Sequence, residues 1–204
     1  MKKILITQRC DVIEGREEIR EALDIKWANI LFDLGFLPIP ACSGLIGTSN
    51  YIGKLMPDGI LLSGGNDLGS FPQRDLFEGE ILDYARNNNL PLLGVCRGMQ
   101  MLNSYLGGGL GEVKDHVATN HIIKGQWAKK QGYHMVNSYH NQAIKIHNLA
   151  QSLDVLATSS DGVIEAVKHT SLPWMGIMWH PEREPEVSNA DRHLIRMLFG
   201  QNNT

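Results

Sequence analysis

Short apolar runs alternate with helical patterns along the first half of the chain. The apolar runs predict buried strands at residues 3–7, 36–40, 58–62 and 90–95. Helical patterns cover residues 17–34, 48–55, 75–87 and 97–106, and the first has apolar residues at spacings of three and four. This order is typical of a doubly wound parallel sheet, in which ligands bind at the carboxyl ends of the strands. Pro38 and Pro40 favour a sheet edge for the second strand.

The second half of the chain has a different pattern. Short strands with polar connections are predicted at residues 112–113, 133–137, 153–158, 163–168 and 174–179, and they indicate an antiparallel extension of the sheet. Ser188 with Asp191 three residues later predicts the start of a final helix over 189–199. We therefore expect an α/β fold with a doubly wound, mostly parallel sheet, helices on both faces and an antiparallel extension, in one domain over residues 1–204.

Composition narrows the class of protein. The 204 residues are 43% hydrophobic and carry a formal net charge of −3, which argues against nucleic acid or an anionic membrane as the main partner. No apolar run approaches the roughly 20 residues of a membrane span, and the N-terminus enters a strand without the features of a signal peptide. Three scattered cysteines do not form a disulfide framework, so a cytoplasmic location is expected.

Cys96 lies where the strand at 90–95 meets the helix at 97–106. Gly94 and Gly98 flank it in the pattern Gly-x-Cys-x-Gly, the thiol form of a nucleophile elbow. A helix N-terminus behind the cysteine favours a thiolate. Alone, the pattern also fits a buried structural cysteine. A second turn, Ser63-Gly64-Gly65, follows the strand at 58–62 and belongs to the same edge of the predicted sheet.

A cysteine nucleophile needs a base and a group that orients the base. His180 follows an apolar strand, and Glu182 lies two residues later on the same side of an extended chain. Pro181 disfavours a helical conformation at His180. His140 is the rival base, but no carboxylate follows it closely. The other histidines lack a metal-ligand spacing, and the glycine-rich stretch at 107–111 lacks a nucleotide fingerprint, so we expect no metal and no cofactor.

These motifs together resemble the class I glutamine amidotransferase-like family along essentially the whole chain. The motifs that carry the resemblance occur in the family's order: Ser63-Gly64-Gly65, Gly94 to Gln100, Ser138-Tyr139-His140 and His180-Pro181-Glu182. Cys-Arg-Gly-Met-Gln at 96–100, Gly-Gly-Asn-Asp at 64–67 and the stretch 161–166 are similar to the γ-glutamyl hydrolase branch, which includes γ-glutamyl-γ-aminobutyrate hydrolases. Among shorter members, the chain resembles those that hydrolyse γ-glutamyl-CDP-amidate in capsular phosphoramidate synthesis, and that conjugate is a candidate substrate.

The resemblance implies a role for each matching residue. Cys96 would be the nucleophile, His180 the base and Glu182 its orienter. The backbone N–H groups of Gly65 and Arg97 would form the oxyanion hole. Gln100, with the backbone around Ser138 and Tyr139, would hold the α-amino and α-carboxylate groups of the glutamyl part. Apart from the resemblance, we expect His140 in the wall of the site, and Asn66 and Asp67 after the glycine turn are candidates for contact with the leaving group. The side chains of Arg97 and Arg74 are further candidates for gripping a leaving group.

Three functions remain open from the sequence. The first is a stand-alone hydrolase of a small γ-glutamyl conjugate, which forms a γ-glutamyl thioester on Cys96. The second is a glutaminase subunit that delivers ammonia to a separate synthetase. The third is a non-catalytic binding member of the fold. The sequence leaves the amine half of the substrate and the oligomeric state undetermined.

Overall fold

A nine-stranded mixed sheet forms the centre of the fold. The computed structural model describes residues 1–45 and 48–200. In chain order the main-sheet strands are β1 (Lys2–Ile6), β4 (Phe36–Pro40), β5 (Gly59–Leu62), β6 (Leu92–Val95), β8 (Val117–Lys124), β9 (Met135–Tyr139), β11 (Leu153–Ser159), β12 (Ile164–His169) and β13 (Trp174–Ile177). Two small sheets pair β2 (Arg9–Val12) with β3 (Ile19–Ala22), and β7 (Gly111–Glu112) with β10 (Gln142–Ala143).

The strand order confirms the predicted fold class. Across the sheet the order is β4-β1-β5-β6-β13-β12-β11-β8-β9. The strands from β4 to β13 pair in parallel, and those from β13 to β9 pair antiparallel. β4, with its two prolines, is an edge strand as predicted. β13 was predicted within the antiparallel extension, but it also pairs in parallel with β6, which places the strand ends of β6 and β13 side by side.

Helices cover both faces of the sheet because its strands alternate their side chains between two cores. The helices are α1 (Ile25–Asp33), α2 (Thr48–Leu55), α3 (Pro72–Asn87), α4 (Arg97–Tyr105), α5 (Gln126–Gln131) and α6 (Asn189–Gly200), with two 3₁₀ turns at Ile146–Asn148 and Pro181–Arg183. Trp27 on α1 and Ile195 on α6 pack on one face, while Ile81 on α3 and Leu102 on α4 pack on the other. Among the described residues, no helix is both long and apolar enough to cross a membrane.

The predicted helix over residues 17–34 is wrong in its first part. The hairpin strand β3 occupies residues 19–22, and α1 starts only after Asp24, whose carboxylate accepts a hydrogen bond from the Lys26 N–H at 2.9 Å. Ile19 fits the helical spacing but is 63% exposed, so it contributes nothing to a buried helix face. A side-chain cap at Asp24 and pairing with β2 therefore replace the helix there.

Smaller differences affect the second half of the chain. β8 and α5 were not predicted, and the strand predicted at 112–113 pairs with β10 outside the main sheet. The start of α6 is as predicted, because Ser188 Oγ accepts a hydrogen bond from the Asp191 N–H and donates one to the Asp191 carboxylate.

Candidate active site

Cys96 occupies a strained turn between β6 and α4. It is the residue immediately before the helix and has φ 51° and ψ −106°, a conformation that costs a non-glycine residue about 1–3 kcal/mol. Backbone hydrogen bonds hold it in place: its N–H donates to Ile177 O at 2.7 Å, and its carbonyl accepts from the Gln100 N–H at 3.1 Å. The thiol therefore lies at a fixed point beside the N-terminus of α4, where the helix dipole favours negative charge.

The two flanking glycines are required by close backbone contacts. A Cβ at Gly94 would lie 2.6 Å from the carbonyl carbon of Gly98. A Cβ at Gly98 would lie 2.1 Å from Leu62 O at the end of the neighbouring strand. The Gly-x-Cys-x-Gly pattern thus lets α4 start directly against β5 and β6, and the turn at Cys96 depends on that contact.

His180 and Glu182 reach Cys96 because β13 lies beside β6. Ile177 is paired with Val95 across the parallel ladder, so the chain after each strand emerges at the same edge. His180 Nδ1 is 2.7 Å from Glu182 Oε1, and both side chains are buried. A carboxylate accepts hydrogen bonds only, so Nδ1 carries the proton of this bond. Burial lowers the pKa of His180, but the Cys96 thiol and Glu182 raise it more, to about 9.

Asn137 on β9 fixes the backbone of His180. The His180 N–H donates to Asn137 Oδ1 at 2.8 Å, and Asn137 Nδ2 donates to His180 O at 2.9 Å and to Glu184 Oε1 at 2.6 Å. The Asn137 side chain thereby bonds to the His180 backbone as the backbone of a neighbouring strand would. The sequence analysis did not single out Asn137, although it directly precedes the Ser138-Tyr139-His140 motif.

The Ser63-Gly64-Gly65 turn is held from one side by the buried Arg74 side chain. Its guanidinium donates to Ser63 O at 3.0 Å, Gly64 O at 3.2 Å and Gly65 O at 2.9 Å. In a trans peptide the carbonyl of Gly64 and the N–H of Gly65 point in opposite directions. The Gly65 N–H is therefore directed away from Arg74. A Cβ at Gly64 would lie 2.7 Å from His180 Cε1 and 3.7 Å from Cys96 Cβ, so the turn contacts both catalytic candidates.

Arg74 and Arg97 share one buried carboxylate, and neither side chain is available to a leaving group. Arg74 Nε donates to Glu78 Oε1 at 3.0 Å, and Arg97 forms ion pairs with the other oxygen of Glu78 and with Asp75. The prediction that either guanidinium grips a substrate is therefore wrong. The Arg97 backbone N–H, in contrast, is at the N-terminus of α4, where helix N–H groups have no partner one turn earlier.

The residues predicted around the glutamyl group lie near one another, but their side chains are partly engaged. Gln100 Nε2 donates to Gln142 O at 2.8 Å, and Ser138 Oγ donates to His116 O at 2.7 Å. The Tyr139 ring packs edge-on against His180, with ring centroids 5.8 Å apart. His140 Nδ1 is 3.0 Å from Gln142 O, so this nitrogen is engaged by a backbone carbonyl.

Asn66 and Asp67 follow the glycine turn in the chain. Asn66 Oδ1 accepts from the Cys10 N–H at 2.7 Å and Nδ2 donates to Cys10 O at 2.9 Å, so this side chain joins β2 to the glycine turn. Asp67 lies exposed on the loop beyond the turn. The Asn66 side chain is therefore occupied by the Cys10 backbone, and a substrate contact by Asp67 stays a prediction.

A cleft of about 550 Å³ opens beside the glycine turn and the His180 ring. Arg9, Lys26 and Arg183 contribute cationic side chains to its lining, and Asp24 and Glu182 contribute carboxylates. Arg9 also pairs with Asp11 at 3.0 Å, but this ion pair is exposed and can open toward an anionic group. Arg9 packs directly on the turn, since a Cβ at Gly65 would lie 2.9 Å from Arg9 Cβ. The Arg183 guanidinium carbon lies 4.4 Å from the centre of the Tyr139 ring, and the Lys26 ammonium donates to Glu184 O at 2.7 Å. The cleft can therefore hold an anionic group next to the reacting bond.

Three histidines and a glutamate gather next to this site, which the sequence analysis missed. His116 and His121 flank the start of β8, His140 follows β9 and Glu165 lies on β12. A nitrogen or oxygen from each side chain lies within 4.8 Å of one from every other. The spacing of these residues along the sequence does not predict the cluster, because the pairing of β8 with β9 brings the histidines together.

A family model, curated relatives and solved structures all match most of the chain. The model of the Peptidase C26 family matches residues 39–182. The γ-glutamyl-CDP-amidate hydrolase of Campylobacter jejuni is 34% identical over 194 residues, which cover 90% of this chain and 92% of that protein. The γ-glutamyl-γ-aminobutyrate hydrolase of Escherichia coli K12 is 27% identical over 220 residues, with 88% and 84% covered. The structure of a GMP synthase component from Thermoplasma acidophilum superposes with a TM-score of 0.74 at 21% identity, over 98% of this chain and 93% of the other.

Proposed function

The chain belongs to the Peptidase C26 family, and from that premise we propose that it is a stand-alone hydrolase of a γ-glutamyl amide bond. The observation that carries the proposal is the parallel pairing of β6 with β13, which brings Cys96 next to His180 and its partner Glu182. A cysteine, a histidine and a carboxylate in this relation form the arrangement used for nucleophilic acyl transfer.

The first chemical step forms a γ-glutamyl thioester. The Cys96 thiol gives its proton to His180 Nε2 as the sulfur attacks the γ-carbonyl carbon. A C–S bond forms, and the electrons of the C=O double bond move to the carbonyl oxygen, which becomes an oxyanion. The N–H groups of Gly65 and Arg97 hold that oxyanion, and removal of one such donor typically costs about 10²–10³ in kcat. His180 then gives its proton to the departing nitrogen as the C–N bond breaks.

The second step returns the enzyme to its starting state. His180, now neutral, takes a proton from water as the water oxygen attacks the thioester carbon. The C–S bond breaks, glutamate leaves and the Cys96 sulfur recovers its proton from His180. Glu182 keeps the imidazole oriented in both steps through the bond to Nδ1.

For the leaving group, we propose an amine or amidate that carries phosphate, such as γ-glutamyl-CDP-amidate. The three cationic side chains of the cleft support this choice, because Arg9 and Arg183 are exposed at its lining and Arg9 contacts the glycine turn. The name of the Campylobacter relative points in the same direction. Arginine is well suited to phosphate because its guanidinium donates two parallel hydrogen bonds.

A second candidate function is that of a glutaminase component that supplies ammonia to a synthetase. The likeness to the GMP synthase component from Thermoplasma covers nearly the whole chain, although it shows the fold alone. Such a component needs only a small exit on the nitrogen side of the scissile bond. The cleft of about 550 Å³ beside the glycine turn is larger than such an exit and therefore favours the hydrolase.

Turnover of a panel of conjugates tests the proposal. We expect the purified chain alone to hydrolyse γ-glutamyl-CDP-amidate at least about tenfold better in kcat/KM than glutamine or γ-glutamyl-γ-aminobutyrate, because remote binding energy lowers the barrier. Cys96→Ala should remove this turnover and retain the fold, as judged by circular dichroism. If glutamine is the best substrate and a synthetase raises its turnover, the glutaminase function replaces the hydrolase.

Charge variants test the leaving-group assignment separately. A charged hydrogen bond contributes about 1.5–3 kcal/mol, so Arg9→Met or Arg183→Met should lower kcat/KM for the diphosphate conjugate by about 10–100-fold. Glutamine hydrolysis should change little in either variant. Arg196→Met, an exposed position on α6, is the matched control. Equal losses for all conjugates would contradict a phosphate contact while leaving the hydrolase proposal intact.

A further inference from the structure

We propose that His116, His121, His140 and Glu165 form a binding site for a divalent transition-metal ion of the zinc class, separate from the catalytic residues. One nitrogen or oxygen from each side chain lies within 4.8 Å of one from every other. Four tetrahedral ligands at zinc distances would be about 3.3 Å apart, so each atom needs to move by less than about 1 Å. Rotation of the side chains alone can supply such a movement.

Hydrogen bonds already place the proton of two histidines on the nitrogen that would not bind the metal. His116 Nε2 lies 2.9 Å from Asp161 Oδ2, and His140 Nδ1 lies 3.0 Å from Gln142 O. Carboxylates and carbonyls accept hydrogen bonds, so these two nitrogens carry the protons. The lone pairs are therefore left on His116 Nδ1 and His140 Nε2. A carboxylate or carbonyl on the far nitrogen is the usual second partner of a metal-bound histidine.

The atoms left over are buried and have no hydrogen-bond partner within the described chain. They are His116 Nδ1, His121 Nε2, His140 Nε2 and both carboxylate oxygens of Glu165. Glu165 is fully buried. A buried carboxylate without a hydrogen bond is costly, and a bound cation is one way to satisfy it.

The charge of the cluster matches a divalent ion. Glu165 supplies a carboxylate to the cluster, and a bound cation would hold that carboxylate in its charged form. Three neutral imidazoles with Glu165 and the Asp161 carboxylate behind His116 then balance a charge of +2. Imidazole nitrogens and carboxylate oxygens are both zinc ligands, and three nitrogens with one oxygen complete a four-coordinate site. Asp161, which contacts His116, has a side chain that is 54% exposed, so the cluster lies close to solvent on that side.

The position of the cluster gives the ion a structural role. β8 joins β11 through two residue pairs, Thr158 with Lys124 and Ser159 with Ile123. Ligands on β8, after β9 and on β12 would fasten the β8–β9 pair to the rest of the sheet. β9 carries Asn137, which holds the backbone of His180. The bound ion would therefore stabilise the strand that positions the catalytic base.

Metal titration of a protein with Cys96→Ala and Cys42→Ser tests the proposal, since that background removes the catalytic thiol and the exposed thiol as competing ligands. After treatment with a chelator, we expect one Zn²⁺ to bind per chain, and Co²⁺ to give the intense visible absorption of a four-coordinate site. His121→Ala and Glu165→Gln should abolish stoichiometric binding. His193→Ala, an exposed histidine on α6, should bind as the parent does.

A milder variant keeps the test valid if the buried substitutions prevent folding. Asp161→Asn should retain the fold and weaken zinc binding by about 10–100-fold, the usual effect of losing a carboxylate behind a ligating histidine. Zinc should also slow amide hydrogen exchange in β8 and β9. Absence of stoichiometric zinc in the protein with Cys96→Ala and Cys42→Ser, or unchanged affinity in both Glu165→Gln and Asp161→Asn, would overturn the proposal.

Discussion

Replacement of Arg74 by lysine tests whether the Arg74 hydrogen bonds fix the Ser63-Gly64-Gly65 turn, whose Gly65 N–H is proposed to bind the oxyanion. Lysine keeps the positive charge beside Glu78 but presents its donors from a single nitrogen, so it cannot reproduce the planar fork that reaches three carbonyls. We expect the Gly64–Gly65 peptide to lose its fixed orientation. The predicted effect is a fall in kcat, because the oxyanion forms only during the reaction.

The size of the expected losses in stability and kcat follows from the hydrogen bonds of the Arg74 guanidinium. Its contacts at 2.9 to 3.2 Å with the three carbonyls are all charge-assisted, and the loss of two of them corresponds to about 3–6 kcal/mol before water replaces any. A typical domain has about 5–15 kcal/mol of stability, so the variant should fold with a lower melting temperature. Loss of one oxyanion donor costs about 10²–10³ in kcat. Since Arg74 acts only by positioning that donor, we expect a loss of about 10–100-fold.

The assay separates positioning from general destabilisation. Rapid-quench measurement of thioester formation should show a slower first step with KM little changed and with the same pH dependence as the parent, because His180 and Glu182 are untouched. Arg86→Lys is the matched control, since it lies exposed on the same helix. A variant that is destabilised as expected but forms the thioester at the parental rate would refute the role of Arg74 in orienting the turn.

Two further predictions concern the base and the elbow. Because the pKa of His180 is raised to about 9, kcat/KM should decline as pH rises through that value and the imidazolium loses its proton. Glu182→Gln removes a group that raises this pKa, so the alkaline decline of kcat/KM should move to lower pH. An alkaline decline at the parental pH would count against the pairing of His180 with Glu182. Gly98→Ala places a methyl group 2.1 Å from Leu62 O and should lower stability by about 1–3 kcal/mol or more, together with activity. The matched control is Gly53→Ala, on α2 with open space around it. It should stabilise the chain by about 0.5–1 kcal/mol when both variants are compared by chemical denaturation.

The features predicted correctly from the sequence are those that local chemistry determines. A buried strand, a short turn and a helix around Cys96 follow from apolar runs and two glycines. The contact of His180 with Glu182 was predicted for an extended chain; it forms instead because a 3₁₀ turn at Pro181–Arg183 brings the carboxylate back to the ring. The edge position of β4 follows from two prolines that lack backbone donors.

The features that were missed depend on pairing between distant segments. The helix predicted from residue 17 fails because β2 and β3 pair there, which the apolar spacing of residues 19–23 does not reveal. Arg74 and Arg97 look like substrate ligands in the sequence, but both turn toward Glu78 on α3. The histidines of β8 become neighbours of His140 only through the β8–β9 ladder. In each case the direction of a side chain is set by tertiary contacts that no local pattern records.

Two buried polar side chains fix the backbone of the candidate site, one at the glycine turn and one at His180. Arg74 fixes the carbonyls behind the glycine turn, and Asn137 fixes the N–H and carbonyl of His180. Both lie away from the cleft that would receive the leaving group. Arg9 and Arg183, which are proposed to recognise that leaving group, have exposed side chains that make none of these bonds. Changes at the two exposed arginines can therefore alter substrate preference without disturbing the acyl-transfer geometry, because rigid elements position the chemistry and the surface segments supply the specificity.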